Sequence, residues 1–427
     1  MKKILFILFA ALAFVACDKD FQSQTEKADL EAVVQNNKVS LKQALLYAEN
    51  SVNGINPTTR SAERKVKSTE IYVAKPATRS AEDTEVSFYL INYEDNKGFA
   101  MVSTDSRTTP VYAYSDEGNL TPESFENNPG LQIFRDGAIQ HYENEIANSG
   151  TYDLGDDRLP IFEIPEILYN TNDVVAIVEV DGTYYFEGSK INEIKKGPLV
   201  TVAWHQDMPY NQHYQGHKYA GCGPIAAAQV MSYYKYPTIY NNYTYNWDYM
   251  TSVPTHSIHQ VDEAYSISKL LEQIAIEANC THDGVLTLTS SFGLMVALND
   301  FGYNYQWDDS FDSTTIFANI DNNNPVIIGG DKQGEEYGHY WVIDGSKTRW
   351  LTTTLYDIEY PYNVHSSTSS TPSKYYHCNW GYKIYTDEEL EEYPDLIQGK
   401  ENGFYLFDSF EYNLNLEMFY NIYPKNS

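Results

Sequence analysis

Apolar and polar residues change rhythm several times along the chain, and each rhythm predicts a different element. Behind Met1-Lys2-Lys3, residues 4–15 form an apolar run too short to span a bilayer. Phe88-Tyr89-Leu90-Ile91-Asn92-Tyr93 and Gly98-Phe99-Ala100-Met101-Val102-Ser103 flank Asp95-Asn96-Lys97-Gly98, the pattern of a β-hairpin, and Val111-Tyr112-Ala113-Tyr114-Ser115 supplies a further strand. A helical pattern runs from Glu123 to Asn148, and a polar, proline-bearing stretch leads from it to Lys190 and to Lys195-Lys196-Gly197-Pro198. Pro224 falls where a first helical residue tolerates a missing N–H, and good helix formers follow it. Pro325-Val326-Ile327-Ile328 reads as a buried strand, Gly329 through Gly338 as a turn, and His339 as the opening of the next strand. Tyr375-Tyr376-His377-Cys378-Asn379-Trp380-Gly381-Tyr382 closes an aromatic strand. Residues 53–84 read as a weakly structured tract containing Thr-Arg-Ser-Ala-Glu twice, with Arg60 and Arg79 as points open to proteolysis.

Composition narrows the class. At 427 residues and 42% hydrophobic content the chain can bury sizeable cores, and two domains are expected. A net charge of −30 argues against nucleic-acid binding and against general adhesion to anionic membranes. The 38 tyrosines suit half-buried strands better than a helical bundle. Of the four cysteines, Cys17 follows the apolar run, which leaves Cys222, Cys280 and Cys378. Pairing Cys222 would silence a nucleophile, and a Cys280–Cys378 bridge is allowed by arithmetic only.

The candidate chemistry starts at Gly221-Cys222-Gly223-Pro224, a thiol at a helix threshold. The helix field is worth ~0.3–1 kcal/mol, so alone it lowers a thiol pKa by about one unit, and a second helper is needed at neutral pH. His339, beside Gly338 at a strand mouth, is the candidate: an imidazole paired with a thiol favours the thiolate–imidazolium state. Asn379 would accept from the far ring N–H of that histidine, and the Trp380 indole would keep water from the bond. Gln206, in Trp204-His205-Gln206-Asp207, would join the N–H of Cys222 in holding an oxyanion, with His205 a competitor for the role. His213 with His217, and His256 with His259, lack a third metal ligand at a recognisable spacing, and the chemistry requires no metal or organic cofactor.

Taken in order, the Gln206, Gly-Cys-Gly-Pro, Gly-His and Asn-Trp-Gly blocks resemble the streptopain family of papain-like cysteine peptidases across roughly residues 195–425. Tyr382 departs from that pattern, where a second tryptophan is common. The resemblance implies an α+β papain-like fold: a helical part headed by Cys222, packed on an antiparallel sheet or barrel that carries His339 and Asn379, with the substrate cleft between. It also implies the site set Cys222, His339, Gln206, Asn379 and Trp380, acting on protein or peptide substrates. Gly98 through Arg107 with Val111–Ser115 is similar to the family's propeptide, which occludes the site until it is removed. Ala16-Cys17 resembles a lipoprotein signal with Cys17 as the acylated residue, a plain secretory signal being the alternative, and Asp18-Lys19-Asp20 resembles an outer-envelope export tag. The expected organisation is therefore a signal peptide at 1–16, a tether with an N-terminal helix at 17–84, an inhibitory α+β propeptide at 85–190 and the peptidase at 195–427. Maturation would fall near Lys190–Lys196. An inert surface binding module and a transpeptidase or amidase on the same fold are the rival readings.

Overall fold

Consecutive residues of Tyr340-Trp341-Val342-Ile343 are all buried, yet they divide between two apolar cores, Trp341 and Ile343 in one and Tyr340 and Val342 in the other. That is the two-residue period of a strand covered on both faces. The computed structural model describes residues 37–52, 64–74, 85–148, 174–180, 183–214, 218–331, 338–358, 364–369, 372–382, 389, 392, 401–411 and 415–425. The expected signal, Cys17, Arg60, Arg79 and His217 lie outside the described residues.

The strands are β1 (Val66–Ala74), β2 (Val86–Tyr93), β3 (Phe99–Ser103), β4 (Val111–Ser115), β5 (Val174–Val180), β6 (Thr183–Lys196), β7 (Ile239–Tyr240), β8 (Tyr243–Thr244), β9 (Thr281–Asp283), β10 (Leu286–Leu288), β11 (Tyr303–Asp308), β12 (Val326–Gly330), β13 (His339–Asp357), β14 (Val364–Ser369), β15 (Ser373–Asn379), β16 (Gly403–Leu406) and β17 (Leu416–Pro424). The helices are α1 (Leu41–Val52), α2 (Pro122–Asn127), α3 (Pro129–Asn148), α4 (Cys222–Tyr234), α5 (Trp247–Met250), α6 (Tyr265–Glu277), α7 (Ser291–Asp300) and α8 (Ser313–Asp321). Thirteen strands form one sheet along the path β1-β2-β3-β4-β16-β15-β13-β12-β17-β11, with β6 and β14 paired to the far half of β13 and β5 to β6. β7–β8 and β9–β10 are separate ribbons.

The expected hairpin is β2–β3, paired antiparallel from Phe88↔Ser103 to Asn92↔Phe99. The helical pattern of 123–148 is two helices, because Asn128 is extended and ends α2. Its side-chain oxygen then accepts the N–H groups of Gly130 and Leu131, capping α3. The tract read as weakly structured contains β1, which pairs along β2 from Val66 to Ala74. Its side chains are largely exposed, so it joins the sheet by backbone pairing and leaves little apolar signal in the sequence. The predicted turn at Gly329 starts two residues late, since Gly329 and Gly330 continue β12 opposite Tyr340 and His339.

β4 pairs with β16 through Tyr114↔Phe404 and Ala113↔Tyr405, so the amino-terminal unit and the segment headed by Cys222 share one continuous sheet. The Tyr114 and Phe404 rings stack across that seam at 5.4 Å. α1, α3 and α8 cover the face holding Trp341, and α4, α6 and α7 cover the opposite face. α4 is apolar all round and buried from Gly223 to Ser232, as a helix in the middle of a core must be.

Candidate active site

The helix headed by Cys222 begins two residues before the proline that predicted it. Gly221, at φ +92, is the N-cap, a backbone conformation that glycine adopts without strain. Pro224 is then the third helical residue, still among the positions whose N–H has no intrahelical partner. The thiol of Cys222 therefore faces backbone donors: the N–H groups of Gly223, of Cys222 itself and of Tyr340 on β13. Burial nevertheless outweighs them and pushes the thiol up from its ordinary value.

Cys222 and His339 line one cavity of about 490 Å³, together with Thr287 to Ser291, Gly329, Gly330 and Glu417. They do not form an ion pair in this form of the protein. Nε2 of His339 lies 2.8 Å from the carbonyl oxygen of Trp380, and since a carbonyl only accepts, the ring nitrogen there carries the proton. The imidazole has the strand parity of Trp341 and stacks parallel to it, with Tyr382 standing edge-on. His339 is 3% exposed, and burial drives its pKa down to about 4, the Trp380 carbonyl opposing. Thiol and imidazole are both neutral near pH 7, in place of the expected thiolate–imidazolium pair.

The start of α3 lies against the ring. An ideal Cβ on Gly130 would sit 3.1 Å from Cδ2 of His339 and closer still to the indole of Trp380. Next to it, Asn128 and Ser124 reach Glu401, whose carboxyl is 2% exposed. Burial raises Glu401 to about 8 against the opposing hydrogen bonds of those two side chains.

The Asn379 amide donates to the Val202 carbonyl at 2.7 Å and its oxygen accepts from Asn402 at 3.1 Å, so it does not engage His339 here. Trp380 is 1% exposed, packs on Trp341 and Tyr405, and donates from its indole to the Glu401 carbonyl. Gln206 is half-buried, and its carbonyl accepts the N–H of Ala220, which brings its backbone to the loop that presents Cys222. His205 instead turns inward against Tyr210, and burial holds it neutral down to about 3. Cys222, Cys280 and Cys378 are unpaired among the described residues. His213 packs on Tyr265 and His259 on Glu392. Among the described residues no three ligand-type side chains gather into a metal site.

Sequence reasoning missed Gly130, Asn128, Glu401, Asn402 and Glu417. Asn402 links two predicted residues, since its side-chain oxygen also accepts the N–H of Trp380. The proline-capped helix start at 128–130 was visible as a local signal, but nothing in it points at His339.

Residues 204–388 match the Peptidase C10 family, and residues 36–143 match the Spi protease inhibitor family. Streptopain from Streptococcus pyogenes is 24% identical over 357 residues, covering 72% of this chain and 77% of that protein. The serotype M28 streptopain is 22% identical over 362 residues, with the same coverage. Among solved structures, a prointerpain A fragment from Prevotella intermedia covers 84% of this chain and 100% of its own at 16% identity and TM-score 0.49. Active interpain A from the same organism covers 53% and 94%, at 18% identity and TM-score 0.37.

Proposed function

Because the chain belongs to the streptopain-like Peptidase C10 family of papain-like cysteine endopeptidases and carries a Spi-type inhibitor domain in the same polypeptide, we propose that Cys222 and His339 become its catalytic pair once α3 leaves. The observation that carries this reading is the single cavity shared by the two side chains, with Gly130 close beside the imidazole. With Gly130 withdrawn, the ring is free to turn from the Trp380 carbonyl to the thiol. Proton transfer from sulfur to imidazole then gives the thiolate, which attacks a peptide carbonyl. Gln206 and the Cys222 N–H hold the resulting oxyanion, and the imidazolium protonates the departing amine. His339 next takes a proton from water, whose hydroxide opens the thioester and restores the thiol. Asn379 orients the turned ring, and Trp380 shields that contact.

In this reading the protein is exported, and Cys17 anchors it to the bacterial envelope by a lipid. Maturation near Lys190–Lys196 falls in β6, which is paired with β13 from Tyr185↔Asp357 to Lys196↔Ser346. The chain there has to peel from the sheet before a protease can hold it extended. The test is the Cys222→Ala zymogen beside the natural one. The variant is expected to cleave no denatured protein and, if maturation is autocatalytic, to stay full length. Cleavage at the normal rate by the alanine variant would refute the catalytic assignment.

A further inference from the structure

One polar side chain of the cavity that Cys222 and His339 line belongs to no step of that mechanism. Glu417, second residue of β17, is half-buried and lines the cavity with Cys222 and His339. Its Oε1 accepts from the Tyr340 hydroxyl at 2.5 Å and from the Ser291 hydroxyl at 2.9 Å. Its Oε2 accepts from the Trp307 indole at 2.6 Å. Three neutral donors fix the carboxylate in place without cancelling its charge. Among the described lining residues there is no Lys or Arg, while Asp309 and Asp331 add further negative charge at the rim. Trp307 is 39% exposed, which leaves ring surface open beside the carboxylate, and Phe292 and Leu286 next to the lining segment 287–291 are exposed as well. A carboxylate in the cavity lining, with a partly exposed indole hydrogen-bonded to it, suits a side chain with an aliphatic stem and a cationic end, through a charge-assisted hydrogen bond and a cation–π contact.

Resting on the endopeptidase reading, we infer that Glu417 is a specificity-determining residue that selects substrates with Arg or Lys beside the scissile bond. A pocket built to pair a charge rejects an isostere without one, because its own carboxylate is then left facing an apolar group.

The experiment digests an unbiased peptide library with the mature protein and sequences the fragments. It then compares Arg with norleucine peptides at the enriched position, for the natural protein and Glu417→Gln, with active thiols titrated in each. Enrichment of Arg and Lys is expected at one position flanking the cut. The Arg to norleucine ratio of kcat/KM is expected to fall roughly 10–100-fold in Glu417→Gln, the range for a lost charge-assisted hydrogen bond. Cleavage without basic enrichment in the natural protein, a measurement that does not depend on the variant folding, would overturn this inference and leave the endopeptidase reading intact. An unchanged ratio in Glu417→Gln would overturn it too. Absence of any cleavage, with Cys222 unlabelled by an active-thiol epoxide, would sink both.

Discussion

An ideal Cβ on Gly130 would lie 2.3 Å from Cε3 of the Trp380 indole. No real Cβ approaches an aromatic carbon so closely, and Trp380 has little room to retreat, being buried against Trp341 and Tyr405. The amino-terminal unit therefore reaches Trp380 and His339 with the one residue that has no side chain.

Gly130→Val should loosen that contact. Overpacking of this kind costs about 1–3 kcal/mol, and here it falls on the docking of α3 rather than on the peptidase core. The expected outcome is faster alkylation of Cys222 by iodoacetamide in the uncleaved protein, with the far-ultraviolet circular dichroism preserved. An alkylation rate equal to that of the natural zymogen would show that Gly130 does not guard the site.

Thiol reactivity should separate the latent and mature forms by pH. In the latent form burial holds the Cys222 thiol above its ordinary value and no imidazolium faces it. Its alkylation should rise only in alkaline solution, whereas the mature protein should react from mildly acidic pH upward once an imidazolium pairs with the thiolate. A latent form that already reacts fully at pH 6 would contradict the geometry described above.

Glu401 is expected to make the latent state sensitive to pH. Burial raises its carboxyl to about 8, with the hydrogen bonds of Ser124 and Asn128 opposing, against an ordinary value near 4.5. Between those two values the open state has released a proton that the closed state keeps, so closed-state stability falls as pH rises through that window and levels off above about pH 8. The Cys222→Ala zymogen should therefore melt lower at pH 8 than at pH 5, and Glu401→Gln should flatten that slope. If the two proteins keep parallel profiles, Glu401 is not the group responsible.

Glu193 on β6 lies between two buried cations, 3.0 Å from the Lys347 ammonium and 3.4 Å from the Arg349 guanidinium. Arg349 also donates to Ser51 of α1, and Lys347 sits over the Tyr114 ring, so the cluster ties β6 and the amino-terminal unit to β13. Burial draws Lys347 down to about 8, with Glu193 opposing. Glu193→Gln should destabilise the zymogen by roughly 3–5 kcal/mol, the usual effect of stranding a buried charge, and should speed cleavage within β6. Limited proteolysis with trypsin checks this, and an unchanged cleavage rate would argue that the cluster does not hold the strand.

Local chemistry accounts for what was legible in the chain. The helix at Cys222, the buried strand before Gly330, the strand opened by His339 and the hairpin at 88–103 are all announced by short-range patterns of apolar period, glycine and proline. β1 was missed because its exposed side chains carry no such pattern. Asn402, Glu401 and Gly130 were missed because each matters through a partner far away in sequence, Trp380 and Asn128 among them.

The sequence by itself determined which side chains are available for chemistry and which segments become strands or helices, since periodicity, caps and glycines act over a few residues. Only the tertiary structure decided the state of the site: that the imidazole bonds a carbonyl instead of the thiol, that Gly130 lies against it, and that Glu417 lies in the same cavity. Those relations join residues tens to hundreds of positions apart, and close packing across a shared sheet is what brings them into contact.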